Sequence, residues 1–217
     1  MRWILRIAGG LALVLIVLIL LFSIVNPPTT FYIWQEGQRL GSVKQEWVDF
    51  ENIAPVMRRS IVAAEDANFC LHWGFDMRAI RAAIDEGSNR GASTISQQVA
   101  KNVFLWHGRN YTRKAMEAVI TPVIELIWSK RRILEVYLNV AEFDEGVFGV
   151  KAAAAHYFAV EARDLTAVQA ARLAAVLPDP KGRNAEKPTA RLRKRSAAIL
   201  DGAETIRRDG RSACFEP

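Results

Sequence analysis

"SIVAAEDANFCLHWGFD", residues 60–76, sets two adjacent carboxylates, Glu65 and Asp66, among apolar and aromatic neighbours. A solvated turn has no use for Phe69, Trp73 and Phe75, and a plain core segment would not carry two acids in its middle. The overlapping stretch "IAPVMRRSIVAAEDANF" has apolar residues at 53, 56, 57, 61 and 64, with Pro55 near its start, the pattern of an amphipathic helix. Glu65 therefore falls at the end of a predicted helix, beside aromatic rings. Desolvation there raises a carboxyl pKa toward values useful to a general base. The alternative is a helix-end acid paired with a nearby Arg, and these residues alone do not separate the two.

The rest of the chain is also helical in pattern. "DMRAIRAAIDEG" predicts a short helix closed by Gly87, and "STISQQVAKNVFL" one capped by Ser93 or Thr94. "TRKAMEAVITPVIELIWSKRRILEVYLNVAEF" predicts a long helical stretch that Pro122 kinks or divides. "GVFGVKAAAAHYF" and "DLTAVQAARLAAVLP" add two more helices, and strand-like alternation is scarce. The expectation is one mainly α domain without internal repeats. Glu135 and Asn139, four apart on a helix, read as buttresses of the fold, His72 as a hydrogen-bonded structural residue, and Trp128 and Phe104 as core.

At the front, Arg2 and Arg6 precede nineteen uncharged residues, Ile7 to Val25. As a helix these span about 28 Å, close to the roughly 30 Å hydrocarbon core of a bilayer. A cleaved signal peptide has a shorter apolar region and a small-residue cleavage site; "SIVNPP" offers none, which favours an uncleaved anchor. The two arginines predict a cytoplasmic N-terminus and an exported remainder. The expected organisation is 1–6 cytoplasmic, 7–25 transmembrane, 26–48 an extended linker, and 49–217 the domain. Cys70 and Cys214 make no disulfide framework and read as small hydrophobic residues or idle thiols. Arg191, Arg193, Lys194 and Arg195 form a basic cluster on a predicted final helix, either a solvated face or a contact for anionic lipid headgroups. The net charge of +6 suits anionic surfaces in general, and no recognition motif points to nucleic acid.

"GASTISQQVAKN", residues 91–102, gathers Ser93, Thr94, Ser96, Gln97, Gln98, Lys101 and Asn102. Gln97 and Lys101 share a helix face, as do Gln98 and Asn102, and amides grouped in this way suit a hydroxyl-rich, N-acetylated sugar. Lys101, Arg109, Arg113 and Lys114 then fall within fourteen residues, the density of a clamp for a phosphorylated or pyrophosphorylated group. Glu117, four after Arg113, predicts a helical ion pair.

"EDANFCLHWGFD", "GASTISQQVAKN", "RKAME" and "KRRILEVYLN" resemble four successive motifs of the peptidoglycan glycosyltransferase family, and "GVFGVKAAAAHYF" resembles a fifth. The resemblance runs from about Pro55 to Pro180 in order and spacing. An anchor plus one domain resembles the monofunctional biosynthetic type, and no Ser-x-x-Lys of a transpeptidase occurs. The resemblance implies a lysozyme-like, mainly α fold that polymerises lipid II into β-1,4-linked glycan strands in cell wall biogenesis, with release of polyprenyl diphosphate. It implies catalytic roles for Glu65, as general base, and for Glu117. Asp66, Ser93, Gln97, Gln98, Lys101, Asn102, Arg109, Arg113 and Lys114 would bind substrate or support the cleft. It further implies a divalent metal, Mg2+ or Mn2+, held by the substrate's pyrophosphate with no organic cofactor. The expected partners are lipid II, the lipid-linked glycan chain, the membrane, and proteins of cell-wall synthesis or division. The expected location is the inner membrane, single-pass, with a periplasmic catalytic domain. Asp144 stands where many relatives carry Gly, which weakens assignments on that loop.

A lysozyme-like hydrolase also needs an acid beside a sugar cleft, but cleaving an uncharged glycosidic bond does not call for the basic set at 101–114. A catalytically idle anchored scaffold is disfavoured by the intact pair Glu65 and Glu117.

Overall fold

The computed structural model describes residues 2–85, 93–108 and 110–216. Helix α1, Arg2–Phe22, contains an 18-residue window of mean hydropathy 2.8 and is, among the described residues, the one helix long and apolar enough to cross a membrane. It begins five residues before the predicted start, and Ile19, near its C-terminal end, is its buried residue. The last carbonyls of a helix need outside donors, and here the domain supplies them. Trp128 Nε1 donates to Ile19 O at 2.8 Å, and Arg132 donates to Phe22 O at 3.1 Å, Val25 O at 2.9 Å and Asn26 Oδ1 at 2.8 Å.

The segment 26–48 is not the extended linker expected. It contains helix α2, Phe31–Leu40, N-capped by Thr30, whose side chain accepts from Ile33 N–H. Ile33 and Glu36 face inward while Phe31 and Trp34 stay exposed. The segment also contains strand β1, Lys44–Gln45, which belongs to the domain.

Helix α3, Pro55–Glu65, starts on its proline as read from the sequence. Helix α4, Met77–Asp85, follows, and Gly87, expected to close it, lies outside the described residues. Helix α5, Ile95–Phe104, packs on α6, Tyr111–Ile127, and on α7, Lys130–Val140. Pro122 does not divide the chain: α6 runs through it, and the break falls at Trp128–Ser129, where the Ser129 side chain caps α7 by accepting from Arg132 N–H. Helix α7 is the centre of the core, with every residue from Val136 to Val140 buried.

Strands β2 (Glu142–Asp144) and β3 (Val147–Phe148) form with β1 a small sheet of order β1-β3-β2, in which β3 is parallel to β1 and antiparallel to β2. Gly149 leads out of it with φ +81, where a Cβ would lie 2.8 Å from Asn139 O, so the approach to α7 requires glycine. Helices α8 (Val150–Phe158), α9 (Ala167–Val176) and α10 (Ala190–Arg208) complete the domain, with α3, α9 and α10 packed together. Glu135 and Asn139 buttress as expected. Asn139 brackets the backbone of Val48, accepting from its N–H at 2.8 Å and donating to its carbonyl at 3.0 Å, and Glu135 accepts from Phe50 N–H at 3.1 Å.

Cys70 and Cys214 are not idle thiols; they form a disulfide across a sequence separation of 144. A pairing of this kind is set by tertiary packing and leaves no local trace in the sequence. Phe69 packs near Phe215, and Arg59 pairs with Glu216 at 2.9 Å beside it. Removing the bridge, by Cys214→Ser or by reduction, should lower stability by about 2–4 kcal/mol. Denaturant unfolding with and without reductant measures this, and identical midpoints would show that the tail contributes nothing covalently.

Candidate active site

Glu65 ends α3, and its side chain is only 13% exposed. The neutral amide of Gln98, one turn into α5, donates from Nε2 to Glu65 Oε2 at 3.0 Å. Tyr137, on the buried face of α7, donates its hydroxyl to Gln98 Oε1 at 3.2 Å. That bond fixes which end of the amide faces the acid, so Glu65 receives a donor. Arg195 of α10 lies 3.9 Å away and is, among the described residues, the one cation within ion-pair distance. Burial dominates and pushes the Glu65 carboxyl above its ordinary range; Gln98, Arg195 and Lys101 oppose the shift and Asp66 adds to it.

Asp66 faces the other way. One oxygen meets His72 Nε2 at 2.8 Å and the other accepts from Ile95 N–H, the first residue of α5, at 3.0 Å. It thereby joins the end of α3 to the start of α5. His72 is the hydrogen-bonded structural residue the sequence suggested. Gly74, two residues on with φ +85, leaves room for Thr121 and Glu125, and its carbonyl accepts from Thr94 Oγ1 at 2.6 Å. Thr94 is the cap of α5, and Gln97 closes a capping box with it, accepting from Thr94 N–H at 3.1 Å. Gln97 is thus engaged in the fold, whereas Gln98 reaches the acid.

Arg113 and Lys114 gather on a second acid. Glu117, buried on α6, is paired with Arg113 and, at 2.6 Å, with Lys114. Lys114 Nζ also donates to Ser93 Oγ at 3.2 Å. Lys101 Nζ has no hydrogen-bond partner among the described residues; burial, followed by the charge of Arg113, pulls its ammonium pKa below the usual lysine range, against the pull of Glu65. Arg109 lies outside the described residues. Among the described residues no group of three or more His, Cys, Asp or Glu could hold a metal ion by itself.

A cleft of about 430 Å³ is lined by Gln98, Lys101, Asn102 and Tyr137 together with Tyr32, Glu142 and Lys181. The structure therefore brings together Glu65, Gln98, Lys101 and Asn102, with Ser93, Arg113, Lys114 and Glu117 as an adjoining charged cluster. Sequence reasoning missed Tyr137 and Arg195 as neighbours of the acid. Tyr137 sits inside the quoted "KRRILEVYLN", four before Ala141 and on the face that turns to α5, and Arg195 was visible only as one of a basic run.

A family model described as Transglycosylase matches residues 34–204. A protein of Jannaschia sp. (strain CCS1) named biosynthetic peptidoglycan transglycosylase is 59% identical over 214 residues, covering 99% of this chain and 90% of that protein. Proteins of the same name from Pseudomonas fluorescens (strain SBW25) and Xanthomonas campestris pv. campestris (strain B100) are each 45% identical over 217 residues. These cover 95% of this chain and 90% and 88% of their own lengths, respectively.

The raised pKa of Glu65 has a consequence for stability. A carboxyl whose folded pKa exceeds its unfolded value stabilises the fold fully only below the unfolded pKa and loses that contribution as pH rises through the folded one. Glu65→Gln should therefore unfold at higher denaturant than the parent at pH 7.5, with the gap closing below about pH 4, where the carboxyl is protonated in both states. Urea titrations at the two pH values test this; a variant less stable than the parent at pH 7.5 would contradict the desolvated acid.

Proposed function

The chain belongs to the transglycosylase family and is a peptidoglycan glycosyltransferase that polymerises glycan strands, and we propose that it does so by general-base attack on a lipid-linked diphosphate donor. The observation that carries this reading is the division of partners in the site: the desolvated Glu65 carboxylate is held by a neutral amide, while Arg113 and Lys114 are held by Glu117 and Lys101 Nζ has no hydrogen-bond partner among the described residues.

In this reading the acceptor is lipid II and the donor is the growing chain on its polyprenyl diphosphate. Glu65 takes the proton of the acceptor 4-hydroxyl. That oxygen forms a bond to the donor's anomeric carbon while the bond from that carbon to the diphosphate oxygen breaks. The electron pair leaves on the diphosphate, and in-line attack on an α-linked donor gives the β-1,4 product. The leaving group needs no protonating acid when fixed cations absorb its charge. Glu117 keeps Arg113 and Lys114 in place rather than facing the sugar. A Mg2+ or Mn2+ ion fits this site only if it arrives with the diphosphate, because Glu117 is already paired with two cations; it would add charge neutralisation at the leaving group. The apolar α1 with Arg2 and Arg6 at its start supports a single-pass inner-membrane protein with its catalytic domain on the periplasmic side.

Glu65→Gln retains shape but cannot accept a proton, so polymerisation of lipid II should fall at least about a hundredfold. Lys101→Ala should weaken donor use by roughly 1.5–3 kcal/mol, the value of a hydrogen bond to a charged group. Gel analysis of glycan products from purified enzyme gives both rates. Near-parental turnover by Glu65→Gln would rule out this base.

A further inference from the structure

The cleft is lined by Gln98, the hydrogen-bond partner of Glu65, and also by residues of α2 and of the segment after α9. Tyr32 reaches into it with its ring stacked on His107, centroids 3.5 Å apart and planes 5° from parallel. Its edge meets Phe148 at 5.6 Å, and its hydroxyl donates to Glu142 Oε2 at 2.6 Å. Lys181, just after α9, closes the group: its ammonium is 2.9 Å from Glu36, also on α2, and 3.7 Å from Glu142. His107 in turn meets Asn102 at 3.2 Å. Asn102 lies one turn of α5 beyond Gln98, about 6 Å along the axis and comparable to the length of a sugar ring.

The chemistry of this group differs from that of the basic cluster. Burial, with Lys101 and Arg113, pushes His107 down to about 3, so its imidazole is neutral at working pH. Lys181 is already paired with Glu36 and Glu142, and Arg39 with Glu36, so neither cation of this group is free for a diphosphate. Aromatic rings, an amide, a neutral imidazole and a carboxylate paired with an ammonium suit the hydroxyls and N-acetyl group of an uncharged sugar. Helix α2 is also not free to swing. Arg132 grips the chain just before it, its inner residues Ile33 and Glu36 are buried, and Arg39 pairs with Glu145.

We propose that α2, the helix leaving the membrane anchor, is a wall of the catalytic cleft, and that Tyr32 is a positioning residue for a saccharide unit about one sugar ring away from the bond made at Glu65. It acts by holding Glu142 and His107 toward the cleft. The proposal rests on the polymerase reading above and extends it to a part of the chain outside the catalytic motifs.

The test uses the full-length enzyme in detergent. Tyr32→Ala, Tyr32→Phe and, as a control on the outer face of the same helix, Trp34→Ala are compared for KM and kcat on lipid II. Each is also placed in the Glu65→Gln background, where the Kd of fluorescent lipid II is read without turnover. Tyr32→Ala should raise KM and Kd about tenfold with kcat within about twofold, and Tyr32→Phe, which keeps the ring stack and loses the hydroxyl bond, should fall between it and the parent. Trp34→Ala should match the parent. Unchanged KM and Kd in Tyr32→Ala, or a loss confined to kcat, or an equal loss in Trp34→Ala, would each overturn the proposal while leaving the polymerase reading intact. A parent enzyme that neither binds nor polymerises lipid II would overturn both.

Discussion

One carboxylate has to stay out of bulk water without being neutralised by a close ion pair, and the architecture of the site follows from that requirement. A cation at hydrogen-bond distance from Glu65 would lower its pKa and weaken it as a base. The structure instead offers the amide of Gln98 at 3.0 Å and keeps Arg195 at 3.9 Å. The amide needs a fixed orientation to serve as donor, and Tyr137, fully buried in the central helix, provides it. Arg113 and Lys114 are instead paired with Glu117, a cluster that the proposed mechanism assigns to the departing diphosphate.

Holding Glu65 in place is a task shared by distant parts of the chain. Asp66 ties the end of α3 to the first N–H of α5 and to His72. From the other direction, Arg211 donates to Ala67 O at 3.0 Å, and the Cys70–Cys214 bridge closes the same loop against the C-terminal tail. At the membrane side, Trp128 and Arg132 take the last carbonyls of α1, so the anchor joins the domain as a packed element and α2 emerges from it in a set direction. The cleft is thus bounded by the motif helices α5 and α7 and by a helix that begins nine residues after the anchor ends.

Much of this was legible in the sequence because helices announce themselves locally. Pro55 marks the start of α3, Thr94 the cap of α5, and the spacing of Arg113 and Glu117 their ion pair. The extended reading of 26–48 failed because α2 has only ten residues, carries Gly37 in its interior and buries Glu36, a charged residue that masks its inward face. Gln97 and Gln98 look alike in sequence, yet neighbouring residues on a helix point about 100° apart, so one closes a capping box while the other meets the acid. The disulfide, the Tyr137–Gln98 bond and the meeting of Tyr32 with His107 join residues 144, 39 and 75 positions apart, contacts that no local pattern encodes.

The central claim is that Glu65 is a base made effective by burial and tuned by one neutral donor. The pH dependence of kcat/KM for lipid II polymerisation reads the pKa of that group in the free enzyme. The acidic limb should lie above the ordinary carboxylate value of about 4.3. In Gln98→Leu it should move further upward, because the hydrogen bond that favours the ionised form is gone. An acidic limb at the ordinary value, or one that stays fixed when Gln98 is replaced, would contradict a desolvated, amide-tuned base at Glu65.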